Sequence, residues 1–209
     1  MKRYLLAIAA SAALAVTSAA APDGYRMIES VAASVNGEVL FLSDVTREAC
    51  FYRCGAVPGQ EAQEISLSRA REKLVADTLV LQEQKKLGMG GVDNAALAGL
   101  TAETLSRMRG CASPCAAAIT ETEVRDLLRR RLLVRGFLEQ RVGVFIEITD
   151  EDVRKEIDRR SRSGAPPEEL SEETVRKHLY EEKAAAEIRN WFERTTSKSR
   201  VVLSPLTEP

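Results

Sequence analysis

Four cysteines are the side chains of this sequence whose spacing most directly suggests chemistry. They form two pairs with the same spacing, Cys50-Phe-Tyr-Arg-Cys54 and Cys111-Ala-Ser-Pro-Cys115. In a helix, this spacing places both cysteines of a pair on one face. Two antiparallel helices could then be joined by the disulfides Cys50–Cys115 and Cys54–Cys111, which we favour among three possible connectivities. Pro114 could break the second helix, which would weaken the case for this pairing between two antiparallel helices.

Zinc binding and redox catalysis are the alternative uses of these cysteines. Structural zinc sites more often use Cys-x2-Cys pairs. Dithiol oxidoreductases use Cys-x-x-Cys at the start of a helix in a βαβ unit. The sequence has neither pattern, and it has no phosphate-binding loop or nucleophile elbow. We therefore predict disulfides, with no metal site, no cofactor and no catalytic residue.

The first 21 residues predict a cleavable secretory signal. Lys2 and Arg3 precede an apolar stretch from Leu5 to Val16, and small residues at Ser18-Ala-Ala20 offer a cleavage site. The apolar stretch is shorter than the roughly 20 residues that span a bilayer. We therefore expect export to the periplasm, an oxidising compartment that favours disulfides, and no membrane span.

The composition favours packed helices and argues against polyanionic partners. Lys and Arg together number 30, Asp and Glu together number 31, and aromatic residues make up only 5% of the chain. A balanced charge favours neither nucleic acid nor an anionic membrane as a partner. Abundant Ala, Leu, Glu, Arg and Lys predict one mainly α domain.

A short hairpin is predicted near the start of the mature chain. Val31, Ala33 and Val35 alternate with small residues, and Asn36-Gly37 then forms a tight turn into a second strand, 38–42. At the other end of the chain, Val201-Val-Leu203 reads as a final strand. We expect it to pair with the strand at Val31, so that a small sheet joins the two ends of the chain.

Helices are predicted between these strands from capping signals and apolar periodicity. They run from Ser43 to about Cys54, from about Gln60 to Leu87, from Thr101, from Thr120 to about Arg141, from Thr149, and from Ser171. Thr120-Glu-Thr-Glu123 fits a capping box, and Thr149-Asp-Glu-Asp152 is expected to cap the next helix, whose acidic first turn suits the helix dipole. We expect Arg129-Arg-Arg131 to be a solvated or salt-bridged face, and Trp191-Phe192 to anchor the last helix to the core.

Several segments, in the same order, resemble SurA-type periplasmic chaperones. The resembling stretches are Ser34-Val-Asn-Gly-Glu-Val-Leu-Phe-Leu-Ser-Asp44, the helix 71–88, Ile148-Thr-Asp-Glu-Asp-Val-Arg-Lys-Glu156, and the tail from Glu182 through Leu203. They cover most of the mature chain. The resemblance implies a helical chaperone core with a small sheet, divided here into a signal (1–21), an N-terminal helical region (22–157), a linker (158–171) and a closing helix and strand (172–209).

The chain departs from this family where a catalytic domain would lie. Family members commonly insert parvulin prolyl-isomerase domains of roughly 90 residues before the closing helix, whereas here only residues 158–171 fill that interval. So short a segment cannot bury a core of its own. His178 is the one histidine of the chain, whereas parvulin sites characteristically use more than one. We therefore predict that the protein is not an isomerase.

The resemblance implies an ATP-independent periplasmic chaperone or assembly factor. Its clients would be unfolded exported polypeptides, outer-membrane β-barrel precursors above all, held by distributed apolar contacts and main-chain hydrogen bonds. The sequence does not identify the peptide-binding residues, and it is compatible with a homo-oligomer. One alternative is a non-catalytic subunit that binds a single folded periplasmic partner. Another is an accessory domain for an isomerase that acts in trans.

Overall fold

A computed structural model describes residues 29–56 and 59–206 of the chain. The predicted signal, residues 1–21, lies outside the described residues. The elements follow the order β1 (Val31–Val35), β2 (Glu38–Phe41), α1 (Leu42–Arg53), α2 (Leu67–Leu87), α3 (Asn94–Gly110), α4 (Glu121–Gly143), α5 (Asp150–Arg162), α6 (Glu172–Ser197) and β3 (Val201–Leu203). Short 3-10 segments lie at Pro114–Ala118 and Pro167–Leu170. The fold is mainly α with a small antiparallel sheet, as the sequence predicts.

The sheet joins the two ends of the described chain. Its strand order is β2-β1-β3, with both neighbours antiparallel to β1. Val35 pairs with Glu38 in the hairpin and with Val201 in β3. The hairpin turn uses Asn36 and Gly37, both with positive φ, which suits these residue types. The predicted pairing of the terminal strand with β1 is confirmed.

Three groups of buried side chains hold the helices together. The first lies between α1, α3 and α4 and includes Phe51, Leu97 and Leu128. The second packs the sheet against α1 and α2, with Val35 and Leu74 among its members. The third joins α2, α4 and α6 through Val80, Phe137 and Trp191. Helices α2 and α4 therefore form the centre of the molecule.

Local hydrogen bonding corrects three predicted helix starts. Helix α2 begins at Leu67 instead of Gln60, because the Ser66 side chain accepts a hydrogen bond from the Arg69 N–H at 3.2 Å. Helix α3 begins at Asn94 instead of Thr101, because Asp93 caps it. Phe41 is the N-cap of α1, and the carboxylate of Asp44 accepts the Phe41 N–H at 3.0 Å, so Ser43 is not the cap.

The other predicted helix starts are confirmed. Thr149 and Asp152 form a capping box at α5, and the Ser171 hydroxyl caps α6 by accepting from the Thr174 N–H. At the start of α4, the Thr120 N–H donates to the Glu123 carboxylate at 2.7 Å, and the Glu123 N–H donates back to the Thr120 hydroxyl at 3.3 Å. No helix in the described ranges is long and apolar enough to cross a membrane.

The segment predicted as a linker, 158–171, is short and largely ordered by helical turns. Its first residues complete α5, and Pro167–Leu170 form a 3-10 turn. Glu156 accepts hydrogen bonds from the guanidinium groups of Arg159 and Arg160 at 2.6 to 2.8 Å. Arg160 also donates to the main-chain carbonyl of Glu169 at 3.3 Å. These bonds tie the end of α5 to the turn that leads into α6.

Candidate functional site

Two disulfides join α1 to the segment that follows α3. Cys50 is bonded to Cys115 with a Cα–Cα distance of 6.1 Å, and Cys54 to Cys111 at 5.4 Å, both usual for disulfides. This is the connectivity favoured from the sequence. The expectation of two facing helices is wrong for the second pair, because α3 ends at Gly110 and Pro114 opens a 3-10 turn.

The disulfides fix the C-terminal end of α1 and use all four thiols. The sulfurs of Cys50, Cys54 and Cys115 lie within 4.8 Å of one another, a spacing that a metal could bridge. Because each sulfur is bonded to another, none is available as the thiolate that zinc requires. Arg107 on α3 adds a second tie by donating to the main-chain carbonyl of Gly55 at 3.2 Å. The cysteines are therefore a structural clamp in this structure.

A buried cluster of charged side chains lies between α1, α2 and α4. Arg131 donates to Glu48 and lies 3.6 Å from Asp77, whose other oxygen accepts from Lys73. Glu48 and Asp77 are each only 2% exposed. The Arg131 guanidinium also lies 5.6 Å from the centre of the Tyr52 ring. Two carboxylates thus face two cations, so the cluster is close to electrically neutral.

Burial shifts the pKa values of Glu48 and Lys73 in the direction that disfavours charge. It raises the pKa of Glu48, although the Arg131 guanidinium opposes the shift. It lowers the pKa of Lys73, although Asp77 opposes the shift. Within Arg129-Arg-Arg131, only Arg131 joins the buried cluster, whereas Arg129 is exposed. The predicted salt bridge is therefore buried at Arg131, and helix periodicity alone does not reveal that depth.

A small cleft of about 380 Å³ opens beside this cluster. Its lining includes Tyr52, Gln60, Gln63, Arg69 and Lys73. The Gln63 N–H donates to the Tyr52 carbonyl at 3.0 Å, so the irregular segment after α1 forms one wall. The Lys73 ammonium pairs with Asp77. This arrangement stabilises the packing of α2 against α1 and α4.

The outer face of the sheet is an exposed apolar surface. We use this name for Val31, Val39, Phe41 and Val202, which are 41–49% exposed. The register makes them neighbours, because Val31 pairs with Phe41, and Ser34 pairs with both Val39 and Val202. The opposite face carries Ala33, Val35 and Leu40, all buried. One side of the sheet therefore packs on the core and the other presents aliphatic and aromatic groups to solvent.

The turn between α4 and α5 carries a second exposed apolar group. Val144 is 81% exposed and Phe145 is 61% exposed. The Arg141 guanidinium lies 4.9 Å from the centre of the Phe145 ring. Nearby, Ile146, Ile148 and Tyr180 line an open depression of about 490 Å³. We call Val144, Phe145 and Tyr180 the turn patch.

The aromatic pair near the end of α6 packs on the core, as predicted. Trp191 is buried, and its ring meets Phe137 edge to face at a centroid distance of 5.6 Å. Phe192 contacts Trp191 in the same manner at 4.9 Å. The lone histidine, His178, lies exposed on α6. Trp191 and Phe192 therefore anchor α6 to the core.

Sequence reasoning did not identify the outer face as a candidate site. A signal for it exists in Val39-Leu40-Phe41, where three consecutive apolar residues replace the alternation that a half-buried strand needs. Val202 repeats the signal in β3. Comparison with known proteins adds no family assignment: no family model matches this chain, and no curated protein matches it. The candidate site therefore depends on the geometry of the sheet.

Proposed function

We propose that this protein is an exported, ATP-independent chaperone or assembly factor that holds unfolded polypeptides, with outer-membrane β-barrel precursors as its main clients. The observation that carries the proposal is the outer face of the sheet, where Val31, Val39, Phe41 and Val202 are exposed together. Contiguous exposed apolar groups on a folded protein often mark an interaction surface. The chaperone resemblance of the sequence points the same way.

The chemistry of the outer face suits weak binding to many clients. Each square ångström of apolar surface removed from water contributes roughly 25 cal/mol. Four partly exposed side chains can therefore bind an apolar segment only loosely, and a loosely bound client can leave without nucleotide hydrolysis. Transmembrane β-strands alternate apolar and polar residues. Such a strand can place its apolar side on the outer face while its polar side stays in water.

The disulfides suit a protein that works outside the cytoplasm. Disulfides persist in oxidising compartments such as the periplasm. Here they clamp α1, and β2 runs directly into α1 without a connecting residue. Cross-linking α1 to the end of α3 therefore helps to hold the strand that carries Val39 and Phe41.

The turn patch favours a second candidate function, binding one folded partner. Val144 and Phe145 project from a turn, so they offer a compact apolar contact instead of an extended surface. Arg141 and Tyr180 flank them with groups that can hydrogen-bond. Aromatic residues and arginine are enriched where a few side chains supply most of an interface's binding energy. A subunit dedicated to one partner would use this patch and not the outer face.

Aggregation assays on several unrelated unfolded proteins test the proposal. The protein is mixed with an unfolded β-barrel and with two unrelated denatured proteins, each diluted from denaturant, and light scattering is followed. We expect near-stoichiometric protection of all three. Protection should fall in the variant Val39→Thr/Val202→Thr, because Thr keeps the strand preference of Val but adds a hydroxyl to the outer face.

The matched control is Val144→Thr, which makes the same change in the turn patch. We expect it to protect as well as the unsubstituted protein. Absence of protection for every client would overturn the chaperone proposal. Loss of binding to a single folded periplasmic protein in Val144→Thr alone would favour the dedicated subunit.

A further inference from the structure

Strand β3 leaves one hydrogen-bonding edge of the sheet open. It pairs with β1 on one side, and no strand in residues 29–56 or 59–206 pairs with its other side. Adjacent residues of a strand direct their main-chain groups to opposite edges. The Asn36 N–H donates to the Arg200 carbonyl at 2.8 Å, and the Ser204 N–H donates to the Ala32 carbonyl at 3.1 Å. Arg200 and Ser204 thus face β1.

The same alternation assigns the main-chain groups of the open edge. Val202 lies between Arg200 and Ser204 in phase with them, and it pairs with Ser34, so its N–H and C=O also face β1. Val201 and Leu203 are out of phase, so their N–H and C=O point to the open side. Leu203 is 54% exposed. No described strand pairs with these groups on that side.

The two edges of the sheet differ in how well they are protected. At the β2 edge, the Phe41 N–H is already bonded to the Asp44 carboxylate, and the chain turns at once into α1. Proteins usually protect edge strands with lysine, proline or a bulge. β3 is short, with three residues, and Pro205 lies beyond it, but none of Val201-Val-Leu203 is a lysine or a proline. The bulge of this sheet lies between Val31 and Ala33, in the pairing of β1 with β2 and not in β3.

β3 is also held in a fixed position before any ligand arrives. At one end, the Arg200 N–H donates to Oδ1 of Asn36 at 2.8 Å. At the other end, Arg71 on α2 donates to the Ser204 carbonyl at 2.6 Å. Because the strand is fixed at both ends, β3 loses little conformational entropy when a partner strand adds to it. Preorganisation of this kind favours binding.

We propose that an extended client segment adds to β3 as a fourth strand of the sheet, an inference that rests on the proposed chaperone function. The occupant is an extended polypeptide because a row of main-chain donors and acceptors is complemented by another extended backbone. Its alternate side chains lie beside Val202 and continue the outer face. The recognised class is therefore a strand with apolar residues at alternate positions, which is the pattern of a transmembrane β-strand.

A matched pair of substitutions at Leu203 separates main-chain pairing from side-chain contact. Leu203→Pro removes the N–H that points to the open edge and leaves the β1 pairing of Val202 and Ser204 intact, which edge strands tolerate. Leu203→Ala removes the side chain and keeps the N–H. Binding is measured by fluorescence anisotropy of a labelled peptide of about ten residues that alternates valine or tyrosine with serine. We expect Leu203→Pro to weaken binding about tenfold and Leu203→Ala to change it less.

Backbone-methylated peptides test the same pairing with the unsubstituted protein. Two peptides carry N-methyl groups on complementary sets of alternate amides. An added strand bonds to β3 through one set only, so we expect one peptide to lose binding and the other to retain it. Equal binding of both peptides, together with equal effects of Leu203→Pro and Leu203→Ala, would overturn the proposal.

The outcomes also separate this inference from the function on which it rests. If the protein suppresses aggregation but peptide binding is insensitive to both Leu203→Pro and peptide N-methylation, the chaperone function stands and the β3 site is rejected. Failure of aggregation suppression with every client would reject the function itself. The proposal would also be overturned if the unsubstituted protein forms a dimer, binds no peptide, and becomes a monomer in Leu203→Pro. That result would favour pairing between two copies of the chain.

Discussion

The main-chain N–H of Arg200 donates a 2.8 Å hydrogen bond to Oδ1 of Asn36, a residue 164 positions earlier. Asn36 has a φ of 52° and forms the first position of the hairpin turn. Its side-chain amide also donates to the side-chain oxygen Oε1 of Gln82 at 2.8 Å. One asparagine thus joins the hairpin, α2 and the start of β3, and it places β3 beside β1.

Substitution of Asn36 should reveal both of its roles. Asn36→Gly keeps the left-handed backbone accessible but loses the bonds to Arg200 and Gln82, so we expect the free energy of unfolding to fall by about 1 kcal/mol. For Asn36→Ala we expect the free energy of unfolding to fall by about 1 kcal/mol more, because alanine disfavours positive φ. Urea unfolding monitored by circular dichroism measures both values. An alanine variant as stable as the glycine variant would contradict the backbone role.

Removal of either disulfide should destabilise the fold. The bonds close segments with sequence separations of 65 and 57 residues, and the shorter segment lies inside the longer one. We expect Cys54→Ala/Cys111→Ala and Cys50→Ala/Cys115→Ala each to lower the free energy of unfolding by about 2–4 kcal/mol. Because the segments are nested, either bond alone still closes most of the long loop, so removing both bonds should cost more than the sum of the two single removals. Equal stability of the oxidised and reduced unsubstituted protein would contradict the structural role of the disulfides.

The buried charge cluster should behave as a coupled unit. Arg131→Met leaves Glu48 and Asp77 buried with Lys73 as the remaining cation, so we expect a loss of about 3–5 kcal/mol. Adding Glu48→Gln should recover part of that loss, because one uncompensated carboxylate is then removed. A double-mutant cycle measured by urea unfolding gives the coupling. Strictly additive effects of the two substitutions would mean that the pair does not interact.

Glu156 should contribute a pH-dependent part of the stability. The hydrogen bonds from Arg159 and Arg160 lower its pKa from 4.5 to about 2. The folded protein therefore binds a proton at Glu156 less readily than the unfolded chain, and this contribution is present above pH 4.5 and lost as the pH falls toward about 2.

A comparison with Glu156→Gln tests this contribution. The difference in unfolding free energy between the two proteins should be largest at neutral pH and should shrink as the pH falls from 4.5 to about 2. Thermal or urea unfolding at several pH values measures that difference. A difference that does not change across this range would show that the two arginines do not stabilise the ionised carboxylate in solution.

Much of the architecture follows from local signals. The Asn36-Gly37 turn and the capping boxes at Thr120 and Thr149 define element starts through contacts between residues that are close in sequence. The predicted start of α2 at Gln60 is wrong because the polar residues in 60–66 are compatible with the solvent-exposed face of a helix. These residues have no regular secondary structure, and the Gln63 N–H instead donates to the main-chain carbonyl of Tyr52 in α1. Long-range contacts of this kind leave no periodic trace in a sequence.

The candidate site was harder to predict than the fold. An apolar residue in a strand predicts burial, and Val39 and Phe41 look like core residues when the sequence is read alone. Their exposure follows from the register of three strands and from the single layer of helices beneath the sheet. The depth of Arg131 was missed for the same reason, since burial is a property of the assembled layers.

Site-specific photo-crosslinking tests the central claim, client binding at the outer face, most directly. A photoreactive phenylalanine analogue replaces Val39 or Val202 in separate proteins, and Arg154 in a control, because Arg154 is exposed on α5 and lies outside the sheet. Each protein is irradiated with an unfolded β-barrel polypeptide and with an unrelated denatured protein. We predict crosslinks to both polypeptides from positions 39 and 202 and few from position 154. Equal crosslinking from all three positions, or none from positions 39 and 202, would contradict the account.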